Sequence, residues 1–258
     1  MEAPLRLLLV YPSCNLDVNP SLACLLEQFS ARGAAVDVVM EEPGEFSTPV
    51  RHGPGVRFHP YPPGHVSLRG VRVRDLPLRL LRWVRRPGSG PQYRVWNDLA
   101  FFSATRAARY DAILGVDPGG IATAALLNRQ ARRPLLYLSY ELLFRCELAS
   151  PEEEAIKQAE LAACRQVTLA LIQDEERAAL LAAETGLPRE RMVLSPVAPA
   201  PTPRPASAYL RDRLAIPQDA RTVLYLGQSS AWTGRDEMAE MVASWPERYV
   251  LVLHSSSR

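Results

Sequence analysis

The chain has 258 residues, 47% of them hydrophobic and 22% charged, with a net charge of +2, a composition that fits a folded globular protein and argues against disorder. No apolar run approaches the roughly 18 residues that cross a bilayer, and the first, Leu5 to Tyr11, is broken by Arg6, so neither a signal peptide nor a spanning helix is expected. Only one of the 30 basic residues is lysine, Lys157. With no Gly-Lys pair, a phosphate loop of the G-x-x-x-x-G-K-[ST] kind is excluded, and Schiff-base chemistry is limited to Lys157, expected to lie exposed on a charged helix.

Leu7 to Tyr11 is a short continuous apolar run and predicts the first buried strand. Asn19 as N-cap, Pro20 at the first helical position, Leu22, Leu25, Leu26 and Phe29 at i, i+3, i+4, i+7, and Gly33 as a stop predict an amphipathic helix. Ala35 to Met40 is the second strand, completing a right-handed strand, helix, strand unit. The stretch from Glu41 to Gly70 is rich in Pro and Gly and holds only short strands such as Val56 to His59. A helix over Trp96 to Tyr110 leads to strand Ala112 to Val116, then Asp117-Pro118-Gly119-Gly120 and a helix to Arg129.

Leu135 to Ser139 is a further strand, ending at Tyr140-Glu141. Ser150-Pro151 followed by three glutamates is a strong helix start, with acids at the positive end of the dipole. Thr168 to Gln173 is a strand, and Asp174 opens a helix that stops at Gly186. Met192 to Ser195 is a short last strand of this series. From Pro196 to Pro205 five of ten residues are proline, which reads as a semi-rigid linker between a domain over 1–195 and a partial one over 206–258. The second begins with a short helix, Ser207 to Leu214, and continues as strand Thr222 to Leu226, helix Asp236 to Ser244 and strand Tyr249 to Leu253. Met238, Met241, Val242 and Trp245 fall at helical spacing and predict a core-facing stripe. Strands alternating with helices throughout predict an α/β fold, a doubly wound Rossmann-like parallel sheet followed by an incomplete second βαβ domain.

In such sheets ligands bind beyond the carboxyl ends of the strands, where helix N-termini converge with unpaired N–H groups. The candidates are therefore the residues after each strand. After the first stand Ser13, Asn15, Asp17 and Asn19 in place of a G-x-G-x-x-G fingerprint, which disfavours a nicotinamide or flavin cofactor. Gly119 and Gly120 either admit close backbone approach to an anion or sugar or simply make a tight strand-to-helix turn. Asp117 and Glu141 are the carboxylates best placed to orient hydroxyls or to serve as acid or base, each with a plain alternative as a cap or a solvated acid. Cys14, Cys24, Cys146 and Cys164 show no C-x-x-C spacing, so no metal site is expected and reduced thiols in a cytoplasmic compartment fit best.

Charge is unevenly spread: Ser47 to Asn97 carries ten arginines against Asp75, a local +9, leaving −7 elsewhere. Within it, Arg79, Arg82, Trp83, Arg85 and Arg86 form a short basic amphipathic pattern suited to peripheral contact with an anionic membrane at the inner face, or to a solvated surface helix. No aromatic-interleaved motif points to nucleic acid.

The order Val116-Asp117-Pro118-Gly119-Gly120, then Leu136 to Leu142, then Leu171-Ile172-Gln173-Asp174-Glu175-Glu176-Arg177 resembles the acceptor-side domain of GT-B-type glycosyltransferases, closest to retaining glycosyltransferase family 4. The runs Tyr209 to Pro217, Val223 to Gly227 and Leu251 to His254 are similar to the opening of that family's donor-side domain. The resemblance implies transfer of a sugar from a nucleotide-sugar to an acceptor without metal or other cofactor. It also implies acceptor contacts in the loop after the first strand and donor phosphate contacts through the turn holding Gly227, Gln228, Gly234 and Arg235, while Tyr140 is a substrate-binding candidate from its place just after a strand. Where the family often has a histidine, this chain has Tyr140-Glu141. The rest of the family's donor domain has no counterpart before Arg258, so a truncated transferase is expected, with a non-catalytic acceptor-, membrane- or partner-binding module as the competing class.

Overall fold

The computed structural model describes residues 4–13, 16, 19–41, 53–61, 109–196, 207–227 and 233–254. The chain divides into two compact units, Met1–Ala200 and Pro201–Arg258. The helix read over Trp96 to Tyr110 and the basic segment around Trp83 lie mostly or wholly outside the described residues.

The first unit is built on seven strands, β1 (Arg6–Tyr11), β2 (Ala35–Glu41), β3 (Val56–Tyr61), β4 (Ala112–Val116), β5 (Leu135–Ser139), β6 (Leu169–Ile172) and β7 (Met192–Leu194). They pair in the order β3-β2-β1-β4-β5-β6-β7, each pair parallel. The direction of winding reverses between β1 and β4. Helix α1 (Pro20–Ala31), which joins β1 to β2, therefore covers one face, with Leu22 and Leu26 against Leu7, Leu9 and Val38. Helices α2 (Asp117–Ala131), α3 (Pro151–Cys164) and α4 (Glu175–Thr185) cover the other, where Ile121, Ala163 and Leu181 share a cluster with Leu8, Val10 and Ile113. Because β1 and β4 are buried on both faces, they read as unbroken apolar runs rather than as alternating ones.

The helix ends follow their local signals. Asn19 Oδ1 accepts the Leu22 N–H at 3.0 Å and Gly33 sits in the left-handed region, so α1 is closed at both ends. Ser150 and Glu153 form a reciprocal capping box at α3, with bonds of 3.2 and 3.0 Å. Asp174 caps α4 through the Arg177 N–H at 2.8 Å, and Gly186 ends it.

Two polar clusters brace this sheet among the described residues. Asp37, inside β2, accepts from Tyr110 Oη at 2.7 Å and from Arg57 at 2.8 and 3.1 Å, and its Oδ1 lies 3.1 Å from His59 Nε2. Burial by itself would raise this carboxyl, but the bonds from Tyr110, His59 and Arg57 hold it below the ordinary value. These contacts fasten strand β3 to β2. The second cluster corrects the expectation for Lys157: its side chain is 1% exposed and pairs with Glu160, also 1% exposed, at 2.9 Å. A charged helix surface turns inward here because opposite charge and a carbonyl are waiting for the ammonium.

The second unit holds α5 (Tyr209–Leu214), β8 (Arg221–Leu226), α6 (Arg235–Met241) and β9 (Tyr249–His254), with β8 and β9 paired in parallel. Its buried apolar cluster is small: Ile216, Ala220 and Val252. The stripe expected as core on α6 is not buried, and Met241 is 60% exposed. A sheet of two strands offers too little surface to cover a helix face.

Candidate functional site

The carboxyl ends of β1, β4, β5 and β6 come together at the point where the winding reverses, and the residues that follow them interlock. Asp117, the first residue after β4, has φ of 59°, a conformation that Asp and Asn tolerate better than most residues. That turn aims its carboxylate at the next strand end: Oδ1 accepts the N–H of Tyr140 at 2.8 Å and of Glu141 at 2.9 Å. The Tyr140 carbonyl in turn accepts from Gln173 Nε2 at 2.7 Å and from the Arg177 guanidinium, and Arg177 Nε donates to Gln173 Oε1 at 3.0 Å. One hydrogen-bonded chain thus ties the ends of β4, β5 and β6 to the first turn of α4.

The glycines fix the height of α2 above the sheet. A Cβ on Gly120 would lie 2.7 Å from the Val10 carbonyl oxygen, and one on Gly115 would lie 2.4 Å from Ile121 Cα. Gly120 therefore packs directly onto β1, a role that neither sequence reading, ligand approach or tight turn, had named. The N-terminus of α2 has no side-chain cap, and the Gly119 carbonyl accepts from Thr123 Oγ1 at 3.0 Å.

Burial drives the electrostatics. It pushes the Asp117 carboxyl up to about 6, the two amide bonds and Arg177 pulling the other way and the Glu141 charge adding to the rise. Tyr140 is partly buried in the core cluster on the α1 face, and desolvation together with the Asp117 charge raises its phenol. Glu141 is exposed, its N–H held and its side chain turned to the rim. Asp117 therefore serves as a backbone staple whose carboxyl burial pushes up to about 6, while Glu141 is exposed to solvent.

Of the other expected site residues, Asn19 spends its Oδ1 on the α1 cap, and Ser13 lies partly buried after β1. Asn15, Asp17 and Gln228 fall outside the described residues, as do Arg79, Arg82, Trp83, Arg85 and Arg86. In the second unit the Gly227 N–H already donates to the His254 carbonyl at 3.1 Å, Gly234 caps α6 at φ 66°, and Arg235 is paired with Asp236. Arg177 was missed as a rim residue. Its signal was positional: it stands four residues after Gln173, one turn into α4, so both reach the same carbonyl. Among the described residues no group of three or more His, Cys, Asp or Glu could hold a metal ion, and no helix is long and apolar enough to cross a membrane.

No protein-family model matches the sequence, and no curated protein does. Solved structures match across both units. HepE from Anabaena, in complex with UDP and glucose, is similar with a TM-score of 0.66 at 15% identity, over 96% of this chain and 60% of that one. The fold is of the GT-B kind. Sucrose-phosphate synthase from Thermosynechococcus elongatus is similar with a TM-score of 0.66 at 17% identity, over 98% of this chain and 63% of that one. UGT89C1 from Arabidopsis thaliana, complexed with UDP-L-rhamnose, gives 0.58 at 14% identity, over 99% and 66%. This GT-B chain spans about 60% of the length of HepE.

Proposed function

We propose that the chain is the acceptor-side part and the opening of the donor-side part of a glycosyltransferase that uses a nucleotide-sugar, related to glycosyltransferase family 4. The observation that supports this best is the continuity of the match: both units together follow structures solved with UDP and sugars, over 96% of the chain. In this reading Glu141, positioned through its own N–H by Asp117, meets acceptor hydroxyls. Tyr140 forms the adjoining wall, and the α2 N-terminus with Gly119 offers N–H groups to an anionic or hydroxylated ligand. The turn from Gly227 to Arg235 serves the donor phosphates, which requires Arg235 to exchange Asp236 for phosphate.

Thermal unfolding with UDP-glucose, other nucleotide-sugars, free nucleotides and nicotinamides tests this directly. A ligand at about 100 times its dissociation constant adds roughly 2.7 kcal/mol, so with the rest of the donor-side part supplied a nucleotide-sugar should raise the midpoint by several degrees. Stabilisation by a nicotinamide and by no nucleotide or nucleotide-sugar would overturn the reading. Peripheral attachment through Arg79, Arg82, Trp83, Arg85 and Arg86 belongs to the same proposal, resting on the local +9 charge. Co-sedimentation with phosphatidylserine vesicles should fall sharply when the four arginines become serine; unchanged sedimentation would remove the membrane from the account.

A further inference from the structure

The lone lysine has a use that the binding reading does not absorb. Lys157 Nζ donates to the Leu143 carbonyl at 2.6 Å and to Glu160 Oε2 at 2.9 Å, and it is ion-paired with Glu184 Oε2 at 3.3 Å. The buried ammonium thus faces two carboxylates and a carbonyl. Glu160 spends its other oxygen on Tyr137 Oη at 2.7 Å, from the middle of β5. Glu184, near the end of α4, also accepts the Arg145 N–H at 3.3 Å, and its carbonyl accepts Arg145 Nη2 at 2.8 Å. Two cations and two anions from α3, α4 and the β5–α3 connection close on each other with no net charge.

Stability alone does not explain such a group, because well-packed apolar residues often replace a buried ion pair without loss. What they could not replace is the bond to Leu143. Residues 140–144 belong to neither strand nor helix, and their backbone has no ladder to hold it. We propose that Lys157 is a positioning residue: by gripping the Leu143 carbonyl it pins the β5–α3 connection and fixes where Tyr140 and Glu141 stand on the rim. Leu143 is two residues from Glu141, at most about 7 Å of extended chain. Asp117 holds one end of this short span and Lys157 the other. That the span touches a ligand rests on the glycosyltransferase reading; that it is clamped does not.

Because this is the only lysine, an amine-reactive reagent reports on it and the N-terminus alone. In the intact protein, labelling of Lys157 and amide exchange at Leu142 to Arg145 should rise together along a urea series, below the global transition, since both need the clamp open. Rapid labelling of Lys157 in the folded protein, or exchange of these amides while Lys157 stays protected, would overturn the proposal. The double variant Lys157→Met/Glu160→Gln removes both charges and leaves Tyr137 an acceptor. Its exchange at 140–145 should be at least tenfold faster with β4 amides unchanged; equal acceleration everywhere would mean a merely structural role. Tyr137→Phe, which spares the Leu143 bond, should leave the connection protected. None of these readouts uses a ligand, so failure of the clamp and failure of nucleotide-sugar binding are separate results.

Discussion

Asp117 shows how one side chain carries both geometry and pH sensitivity. Its carboxyl stands at about 6 in the fold, against about 3.9 in an unfolded chain. The folded state therefore binds more protons between those values, so the contribution to stability is fully present below about pH 4 and is lost as pH rises through 6. The loss is on the order of 3 kcal/mol. Asp117→Asn keeps an acceptor for the Tyr140 and Glu141 N–H groups, suits the left-handed backbone and removes the titration. Urea midpoints should show it losing less stability than the parent between pH 4 and 7. Asp117→Ala leaves two N–H groups without their acceptor and puts Ala at positive φ, at a cost of about 2–4 kcal/mol at pH 7. Equal stability of the Asn and Ala variants would rule out the staple. Asp37 has the opposite sign: its carboxyl is held low, so its contribution is present above about 3.9 and fades as pH falls through its folded value.

At the scale of elements, the junction from β4 to α2 is the closest-built part of the rim. Gly115 and Gly120 sit where backbone meets backbone, and the nearest atom in each case is backbone that cannot swing aside. Gly120→Ala would push α2 off the Val10 carbonyl and should cost about 1–3 kcal/mol. It should also disturb the Asp117 staple, since Asp117 lies three residues earlier on the same turn. Loss of stability in calorimetry with faster amide exchange at Tyr140 and Glu141 is the expected outcome; a variant as stable as the parent would mean the helix can lift freely. The same logic explains why Lys157 was misjudged from sequence. Three glutamates just before it suggest a solvated face, yet α3 is only partly a surface helix, and the face that carries Lys157 and Glu160 turns inward.

For the molecule as a whole, the two units differ in how much core they own. Among the described residues, the first has apolar clusters on both faces of a seven-stranded sheet, whereas the second buries three apolar residues beside a two-stranded one. Leu224, Leu226 and Leu253 on that small sheet are 48, 70 and 44% exposed. Residues 1–200 should thus unfold in one cooperative transition, while an isolated 201–258 fragment should give none, because so small a piece buries too little surface. Circular dichroism melts of both fragments check this, and a sharp melt of the short one would contradict it. By itself the sequence determined the α/β class, the order of strands and helices and the caps at Asn19, Ser150 and Asp174. Those depend on neighbours within a few residues, and periodicity and capping chemistry record them locally. Which carboxylate is buried and which is open, that Arg177 shares the Tyr140 carbonyl, and that Lys157 lies inside were decided only by the tertiary structure. Each depends on atoms brought together from strands and helices 14 to 37 residues apart, and neither spacing nor composition carries that distance.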